Sequence, residues 1–249
     1  MKVVTVDLSR DLLIVENDSY VALYAAIEFV RCAAKAIKEH ASFSCALSGG
    51  STPKKMYEEL LQNKEALELD FSKVNFFWSD ERAVAPNDPE SNYGMAMNYF
   101  SRKPFDKAHK FRMQADSEDL NQAAVDYEKE IQEHCFQSRF DLMLLGMGED
   151  GHTASLFPNT KALKEEVRLV CPNFVSEKNC YRLTLTYRAI NEARKTLVLV
   201  TGKAKAKMLQ EILYGKPDFE KYPAQKIGTA QHPALFIVDE AAAFELLHP

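Results

Sequence analysis

The chain lacks the cysteine and histidine spacings of a disulfide-rich or zinc-binding protein. Its five cysteines are odd in number and include no C-x-x-C pair, so a disulfide framework and a zinc ribbon are poor interpretations. We expect reduced thiols in a cytoplasmic protein. The six histidines show no H-x-H or H-x-x-x-H spacing, and the sequence therefore predicts no metal site.

Apolar runs long enough to cross a bilayer are also missing. The most apolar stretch, residues 20–30, is short and is interrupted by Glu28. Near the start of the chain, Asp7 comes before a signal-like apolar core can build up. We therefore expect a soluble protein with no signal peptide and no membrane partner.

The chain has no excess of positive charge. Lysine plus arginine number 31 against 36 aspartates plus glutamates, which gives a formal net charge of −5. Binding to a nucleic-acid backbone needs a basic face, so no nucleic-acid partner is expected. A few cations focused on a small anionic ligand are still compatible with this balance. Because 46% of the residues are hydrophobic, a packed core can form.

Apolar runs that end in glycine-rich or charged turns alternate with amphipathic segments. Strands are predicted at 2–6, 12–15, 43–47, 74–78, 140–145, 167–170, 181–185, 197–200 and 234–238. Helices are predicted at 21–40, 54–61, 93–100, 116–136, 187–193, up to 214 and at 240–247. This alternation predicts a single α/β domain spanning 1–249, with a doubly wound, mostly parallel sheet flanked by helices.

The strongest chemical signal follows the strand at 140–145. That strand ends in GMGEDGHTASLFP, whose glycines let the backbone approach a ligand and whose Thr and Ser predict a helix start. Ligands bind at such strand ends in open α/β sheets. His152 is therefore the candidate general base near neutral pH, with Asp150 as the acidic neighbour that tunes it. A turn-forming aspartate beside a surface histidine is the alternative.

A second signal is the SGGSTP segment at 48–53, between a predicted strand and a predicted helix. Gly49 and Gly50 expose backbone N–H groups, Ser51 and Thr52 add hydroxyls, and the helix points its positive end at the loop. Together these groups predict a phosphate site. The segment is not a GxxxxGK[ST] loop, so triphosphate chemistry is not implied. An ordinary glycine turn with a capping serine is the alternative.

Two further strand ends carry charged residues. SDER at 79–82 follows the strand at 74–78, and TGKAKA at 201–206 follows the strand at 197–200. The glycine and lysines of the second segment repeat the logic of an anion site. From the residues alone, a solvated turn explains SDER as well as a functional site does. An exposed lysine-bearing helix likewise explains TGKAKA as well as an anion site does.

Taken together, these segments make the chain resemble the 6-phosphogluconolactonases. The matches follow the family's order and span most of the chain: SGGSTP (48–53), DERAV (80–84), SNYG (91–94), GMGEDGHTASLFP (146–158), RLTLT (182–186) and TGKAKA (201–206). The resemblance implies a Rossmann-like fold shared with sugar-phosphate isomerases and deaminases. It also implies cofactor-free hydrolysis of 6-phospho-D-glucono-1,5-lactone to 6-phosphogluconate in the pentose phosphate pathway.

The same resemblance implies roles for individual residues. His152 would be the base that activates water, while Asp150 and Asp80 would orient that histidine or the sugar hydroxyls. Arg82 and Arg182 would line the pocket. The phosphate would be held by Gly49, Gly50, Ser51, Thr52 and Lys205. We further expect a monomer whose partner is a small phosphosugar lactone.

Two alternatives share this fold. Glucosamine-6-phosphate deaminases place a glutamate five residues after the corresponding histidine, where this chain has Phe157, which cannot transfer a proton. A non-catalytic sugar-phosphate sensor would carry a DNA-binding segment, and no basic helix-turn-helix pattern precedes residue 40. Because no serine lies in a G-x-S-x-G elbow, direct attack by water is expected rather than an acyl-enzyme.

Overall fold

The computed structural model describes residues 3–248. The strand predicted at 2–6 and the domain predicted at 1–249 extend into Met1, Lys2 or Pro249, which lie outside the described residues. Eleven strands are present in 3–248: β1 (Val3–Thr5), β2 (Arg10–Val15), β3 (Phe43–Leu47), β4 (Val74–Trp78), β5 (Asp80–Arg82), β6 (His109–Lys110), β7 (Leu142–Gly146), β8 (Val170–Val175), β9 (Cys180–Leu185), β10 (Thr196–Val200) and β11 (Ala234–Asp239).

The same residues form eight α-helices. They are α1 (Asp18–His40), α2 (Ser51–Leu60), α3 (Lys64–Leu67), α4 (Asn92–Phe100), α5 (Leu120–His134), α6 (Tyr187–Asn191), α7 (Ala206–Tyr214) and α8 (Phe244–Leu247). Within 3–248, none of these helices combines the length and the apolar character needed to cross a membrane. Asn17 caps α1, since its side chain accepts hydrogen bonds from the N–H groups of Ser19 and Tyr20.

Eight strands form one large sheet in the order β1-β2-β11-β10-β7-β3-β4-β6. All neighbouring pairs are parallel except β1, which pairs antiparallel with β2 at the edge. The chain moves outward from β3 through β4 and β6, then returns beside β3 as β7 and continues to β10 and β11. The predicted α/β class and doubly wound, mostly parallel sheet are therefore confirmed. The reversal beside β3 is where such sheets open a ligand crevice.

Both faces of the large sheet are covered, as the near-continuous apolar strands predict. Along β7, Leu142 and Leu144 face one hydrophobic cluster, while Met143 and Leu145 face the other. Helices α1, α2 and α4 contribute to the first cluster. Helices α5 and α7 contribute to the second, together with strands β8 and β9.

A small antiparallel sheet, in the order β5-β9-β8, was missing from the sequence prediction. The strand predicted at 167–170 is wrong in position, because β8 occupies Val170–Val175. Val167 is exposed, and the Glu165 carboxylate accepts its backbone N–H. Pro172 lies inside β8, which is an edge strand paired only with β9, where a missing N–H is tolerated.

Two buried tyrosines complete the backbone hydrogen bonding where strands end. The Tyr57 hydroxyl, from α2, donates to the Ser48 carbonyl at 2.7 Å and accepts from the Ser48 N–H at 3.2 Å. The Tyr127 hydroxyl, from α5, accepts from the Trp78 N–H at 2.7 Å and donates to the Trp78 carbonyl at 3.3 Å. Each phenol therefore takes the place of a missing strand neighbour.

We predict that Tyr57→Phe lowers the free energy of unfolding by about 1–3 kcal/mol, because it leaves two buried backbone groups of Ser48 without a partner. Tyr99→Phe is the matched control. Its hydroxyl donates to Glu58 at the exposed surface, so a change within about 0.5 kcal/mol is expected. Urea denaturation of the three proteins measures both values. Equal stability of Tyr57→Phe and the wild type would contradict the assigned role.

Candidate active site

A cavity of about 220 Å³ opens at the carboxyl ends of β3, β4, β7 and β10. Topology alone brings these four strand ends to one edge of the sheet. The cavity is lined by nine of the residues predicted for the site: Gly49, Gly50, Ser51, Thr52, Asp80, Arg82, His152, Arg182 and Lys205. The tenth predicted residue, Asp150, contacts the His152 ring.

His152 and Asp150 form a close pair in the loop after β7. The Asp150 Oδ1 atom lies 2.5 Å from His152 Nδ1 and also accepts the His152 backbone N–H at 3.1 Å. Burial raises the pKa of Asp150, but hydrogen bonds from His152 and its charge outweigh burial and lower that pKa below its usual value. An ionised Asp150 can only accept, so Nδ1 carries the proton. In the neutral ring, Nε2 then holds the free lone pair.

Gly148 makes this close approach possible. Its N–H donates to the His152 carbonyl at 2.8 Å, which folds the loop back on itself. A Cβ atom at Gly148 would lie 2.1 Å from His152 Nδ1 and 2.3 Å from Asp150 Oδ1. The pair therefore requires glycine at this position.

An aromatic ring covers one face of the imidazole. The rings of His152 and Phe157 stack with centroids 4.0 Å apart and planes 16° apart. Phe157 is 3% exposed, and the Arg182 guanidinium carbon lies 5.1 Å from its ring centroid. The sequence identified Phe157 only as a residue unable to transfer a proton. Its contact with the candidate base was not predicted.

The helix predicted to begin after His152 is wrong. The Thr153 hydroxyl donates to the Gly146 carbonyl at 2.8 Å, and Ala154 adopts a left-handed φ of 48°. The Ser155 N–H donates to the Thr184 hydroxyl at 3.1 Å. These hydrogen bonds to other parts of the fold replace the capping bonds that a helix would need.

Asp80 is a buried junction between segments rather than a partner of the histidine. It is 4% exposed and accepts from the Ser155 hydroxyl at 2.6 Å and from Asn92 Nδ2 at 3.2 Å, while Arg182 Nη1 lies 3.8 Å away. Of the two aspartates expected to orient His152, Asp150 is the one in contact with it. Sequence reasoning missed Ser155 and Asn92, although both lie inside the matched HTAS and SNYG segments.

The SGGST loop leads into α2 with its first N–H groups uncapped. Gly50 takes the N-cap position with φ of 100°, and no side chain caps the helix. The Thr52 hydroxyl lies 2.8 Å from that of Thr201, which joins this loop to the segment after β10. A ten-residue helix therefore presents free donors and its positive end to the cavity.

Cationic side chains face the same cavity. The half-buried Lys205 ammonium donates to the Met147 carbonyl, and burial lowers the pKa of Lys205, although Glu149 and Asp150 oppose this. Arg82 and Arg182 lie opposite each other in the β5–β9 register. Like charges placed in this way repel each other. Their Nε atoms are buried, with no hydrogen-bond partner among residues 3–248. An anionic ligand would satisfy these groups.

One cluster of potential metal ligands lies elsewhere in the described chain. Glu130, Glu133 and His134 come together near the end of α5, where Glu133 and His134 are exposed. The His134 Nε2 atom lies 3.4 Å from Glu130 Oε2. We assign no function to this helix surface.

Comparison with known proteins identifies similar chains. The profile of the glucosamine-6-phosphate isomerases/6-phosphogluconolactonase family matches residues 16–237. The 6-phosphogluconolactonase of Chlamydia pneumoniae is 36% identical over 92% of this chain and 88% of its own length. That of Synechocystis sp. is 39% identical over 85% and 88%. The solved 6-phosphogluconolactonase from Trypanosoma cruzi superposes with a TM-score of 0.80 at 26% identity, covering 99% of both chains.

We predict that Gly148→Ala breaks the hydrogen bond between Asp150 and His152, because its Cβ would overlap both side chains. In ¹⁵N NMR spectra, the His152 Nδ1–H signal should weaken or vanish. Gly146→Ala is the matched control, since a Cβ there meets nothing within 4 Å, and the ring signals should stay unchanged. Wild-type ring signals in Gly148→Ala would show that the loop accommodates a side chain.

Proposed function

The chain belongs to the family of glucosamine-6-phosphate isomerases and 6-phosphogluconolactonases, and from this premise we propose that it hydrolyses 6-phospho-D-glucono-1,5-lactone to 6-phospho-D-gluconate in the pentose phosphate pathway. The observation that carries the proposal is that two different groups line one cavity. The His152–Asp150 pair supplies a base, and the uncapped start of α2 supplies an anion site. A phosphorylated lactone needs both.

The proposed chemistry begins with a water molecule beside the His152 Nε2 atom. Asp150 fixes the ring through Nδ1, so Nε2 accepts the water proton as the oxygen attacks the lactone carbonyl carbon. Asp150 also stabilises the imidazolium that forms, through the same contact. Phe157 holds the plane of the ring and keeps solvent from one of its faces.

The tetrahedral intermediate then collapses with opening of the ring. The bond between C1 and the ring oxygen breaks, and the imidazolium returns its proton to that oxygen as it becomes the C5 hydroxyl. The product is a carboxylic acid at C1, which releases its proton to solvent and becomes a carboxylate. Arg82 and Arg182, whose Nε atoms lack protein partners in the described chain, offer charge to the oxyanion and to this carboxylate.

The phosphate is proposed to bind in the same cavity, at the SGGST loop. Gly49, Gly50, Ser51 and Thr52 place N–H and hydroxyl donors at the start of α2, and Lys205 adds a positive charge. A bound dianion would offset the burial that lowers the pKa of Lys205. Binding energy at this remote group holds the carbonyl in register with His152.

Phe157 argues against the deaminase alternative within the same family. Ring opening and isomerisation of an amino sugar need a second proton-transfer group, and the ring stacked on His152 is apolar. A non-catalytic sensor would have no need of the His152–Asp150 pair. Ammonia release from glucosamine-6-phosphate would favour the first alternative, and a lactone half-life equal to the spontaneous value would favour the second.

We propose, in addition, that the protein acts in the cytoplasm as a monomer built from one domain. All five cysteines are free thiols, which fits a reducing compartment. Light scattering coupled to size-exclusion chromatography at micromolar concentration measures the oligomeric state directly. A mass of two chains would refute the monomer.

His152→Ala should lower kcat by about 10²–10⁴-fold, because it removes the general base while the surrounding fold persists. The assay supplies freshly made lactone and subtracts spontaneous hydrolysis. His109→Ala, at an exposed position in β6, is the control and should keep the wild-type kcat. A folded His152→Ala protein with near-wild-type kcat would assign the base to another residue.

Removing the substrate phosphate should lower kcat/KM by about 10²–10⁴-fold, since two charge-assisted hydrogen bonds contribute about 3–6 kcal/mol. Plain glucono-1,5-lactone measures this ratio. Lys205→Ala should reduce the ratio of kcat/KM between the two lactones, because it lowers kcat/KM only for the phosphorylated substrate.

Lys203→Ala is the matched control for this measurement. It lies in the same segment, but its ammonium sits 4.1 Å from the Phe244 ring centroid and outside the cavity lining. The ratio between the two lactones should therefore stay at the wild-type value. Equal turnover of both lactones by the wild type would mean that these loops do not recognise a phosphate.

A further inference from the structure

Asn92 lines the cavity but is not among the site residues predicted from the sequence, and it has no role in the proposed mechanism. It is the first residue of α4, is 3% exposed and lines the cavity between the phosphate loop and the Asp80 turn. Its backbone N–H donates to Glu81 Oε1 at 2.8 Å. The Glu81 carboxylate also accepts the Tyr93 N–H at 2.8 Å. The start of α4, and with it Asn92, is therefore held in place.

The orientation of the Asn92 amide follows from its neighbours. Its Nδ2 atom lies 2.9 Å from the Asp80 carbonyl oxygen and 3.2 Å from Asp80 Oδ1. Both of those atoms are acceptors, so the NH₂ group must face them and the carbonyl oxygen must face the other way. The reverse orientation would place three oxygens against one another.

The amide oxygen therefore points toward Gly49. A Cβ atom on Gly49 would lie 1.8 Å from Asn92 Oδ1, so glycine at this position leaves room for the amide. Among residues 3–248, no donor makes a hydrogen bond to this oxygen, whereas both hydrogens of the NH₂ group have acceptors. Asn92 thus presents an unused acceptor at the wall of the cavity.

An acceptor is scarce in this site. Apart from hydroxyls, which both donate and accept, the predicted phosphate and carbonyl subsites consist of donors, namely backbone N–H groups, two arginines and a lysine. The Asp80 carboxylate is already engaged by Ser155, Asn92 and the Arg182 charge. The substrate's ring hydroxyls are donors that need acceptors when they lose water.

We propose that Asn92 is a specificity-determining residue whose Oδ1 atom accepts a hydrogen bond from one ring hydroxyl of the phosphosugar lactone. This inference rests on the proposed lactone hydrolysis. It assigns to Asn92 a direct contact with substrate, in addition to its support of Asp80.

The test is a double-mutant cycle between the protein and the substrate. The value of kcat/KM is measured for wild type and Asn92→Ala, each with 6-phospho-D-glucono-1,5-lactone and its 2-deoxy, 3-deoxy and 4-deoxy analogues. The loss of kcat/KM caused by Asn92→Ala should be about 3- to 10-fold larger on the full substrate than on one of the three analogues, because that analogue lacks the hydroxyl that Asn92 contacts. Asn98→Ala, exposed on the same helix, should match the wild type throughout.

A purely structural role gives a different pattern. If Asn92 acts only by supporting Asp80, Asn92→Ala loses the same factor on all four lactones, and the proposal fails. Should that variant not fold, Asn92→Ser carries the same comparison. Wild-type kcat/KM that is equal for all four lactones would also overturn the contact. A wild type that never exceeds spontaneous hydrolysis would instead refute the proposed function itself.

Discussion

Strands β3 and β7 run side by side for only two residue pairs, Cys45 with Leu142 and Ala46 with Met143. Beyond these pairs the two strands diverge, which opens the crevice at the reversal of the sheet order. The separation leaves the backbone of Ser48 without a strand neighbour, and a tyrosine hydroxyl supplies both of its hydrogen bonds. Because the SGGST loop follows β3 and the His152 loop follows β7, this divergence sets the distance between the two loops.

The crevice also depends on Asp80, a buried carboxylate that needs hydrogen-bond partners. An isolated carboxylate in the interior costs several kcal/mol, so Asp80 is stable only with partners. Those partners come from three separate segments: Ser155 after the base, Asn92 at the start of α4, and Arg182 on the small sheet. The same hydrogen bonds that stabilise Asp80 therefore fix the walls of the cavity relative to one another. A ligand meets an arrangement that is already ordered, which lowers the entropy cost of binding.

Local pattern was sufficient for seven of the eight strands of the large sheet and for the loops that meet at its edge, whereas the two-residue strand β6 was not predicted. Apolar runs followed by glycine marked the strand ends, and parallel topology brought those ends together without any knowledge of contacts. The small sheet escaped detection because Pro172 and Asn173 carry turn chemistry that an edge strand tolerates. The absence of the predicted helix after His152 has another reason. The Ser155 hydroxyl bonds to Asp80, 75 residues earlier in the chain, and no window of sequence contains both.

The family contains two chemistries on one scaffold, and we propose that the side chain stacked on His152 separates them. Water attack on a lactone needs one group that takes and returns a proton, and we propose that His152 with Asp150 is that group. The other face of the imidazole contacts Phe157, whose ring also lies near the Arg182 guanidinium. A carboxylate at position 157 would pair with either cation and alter the charge of the whole wall. An apolar ring leaves His152 coupled to Asp150 and adds no negative charge beside Arg182, which suits a hydrolase that acts on an anionic substrate.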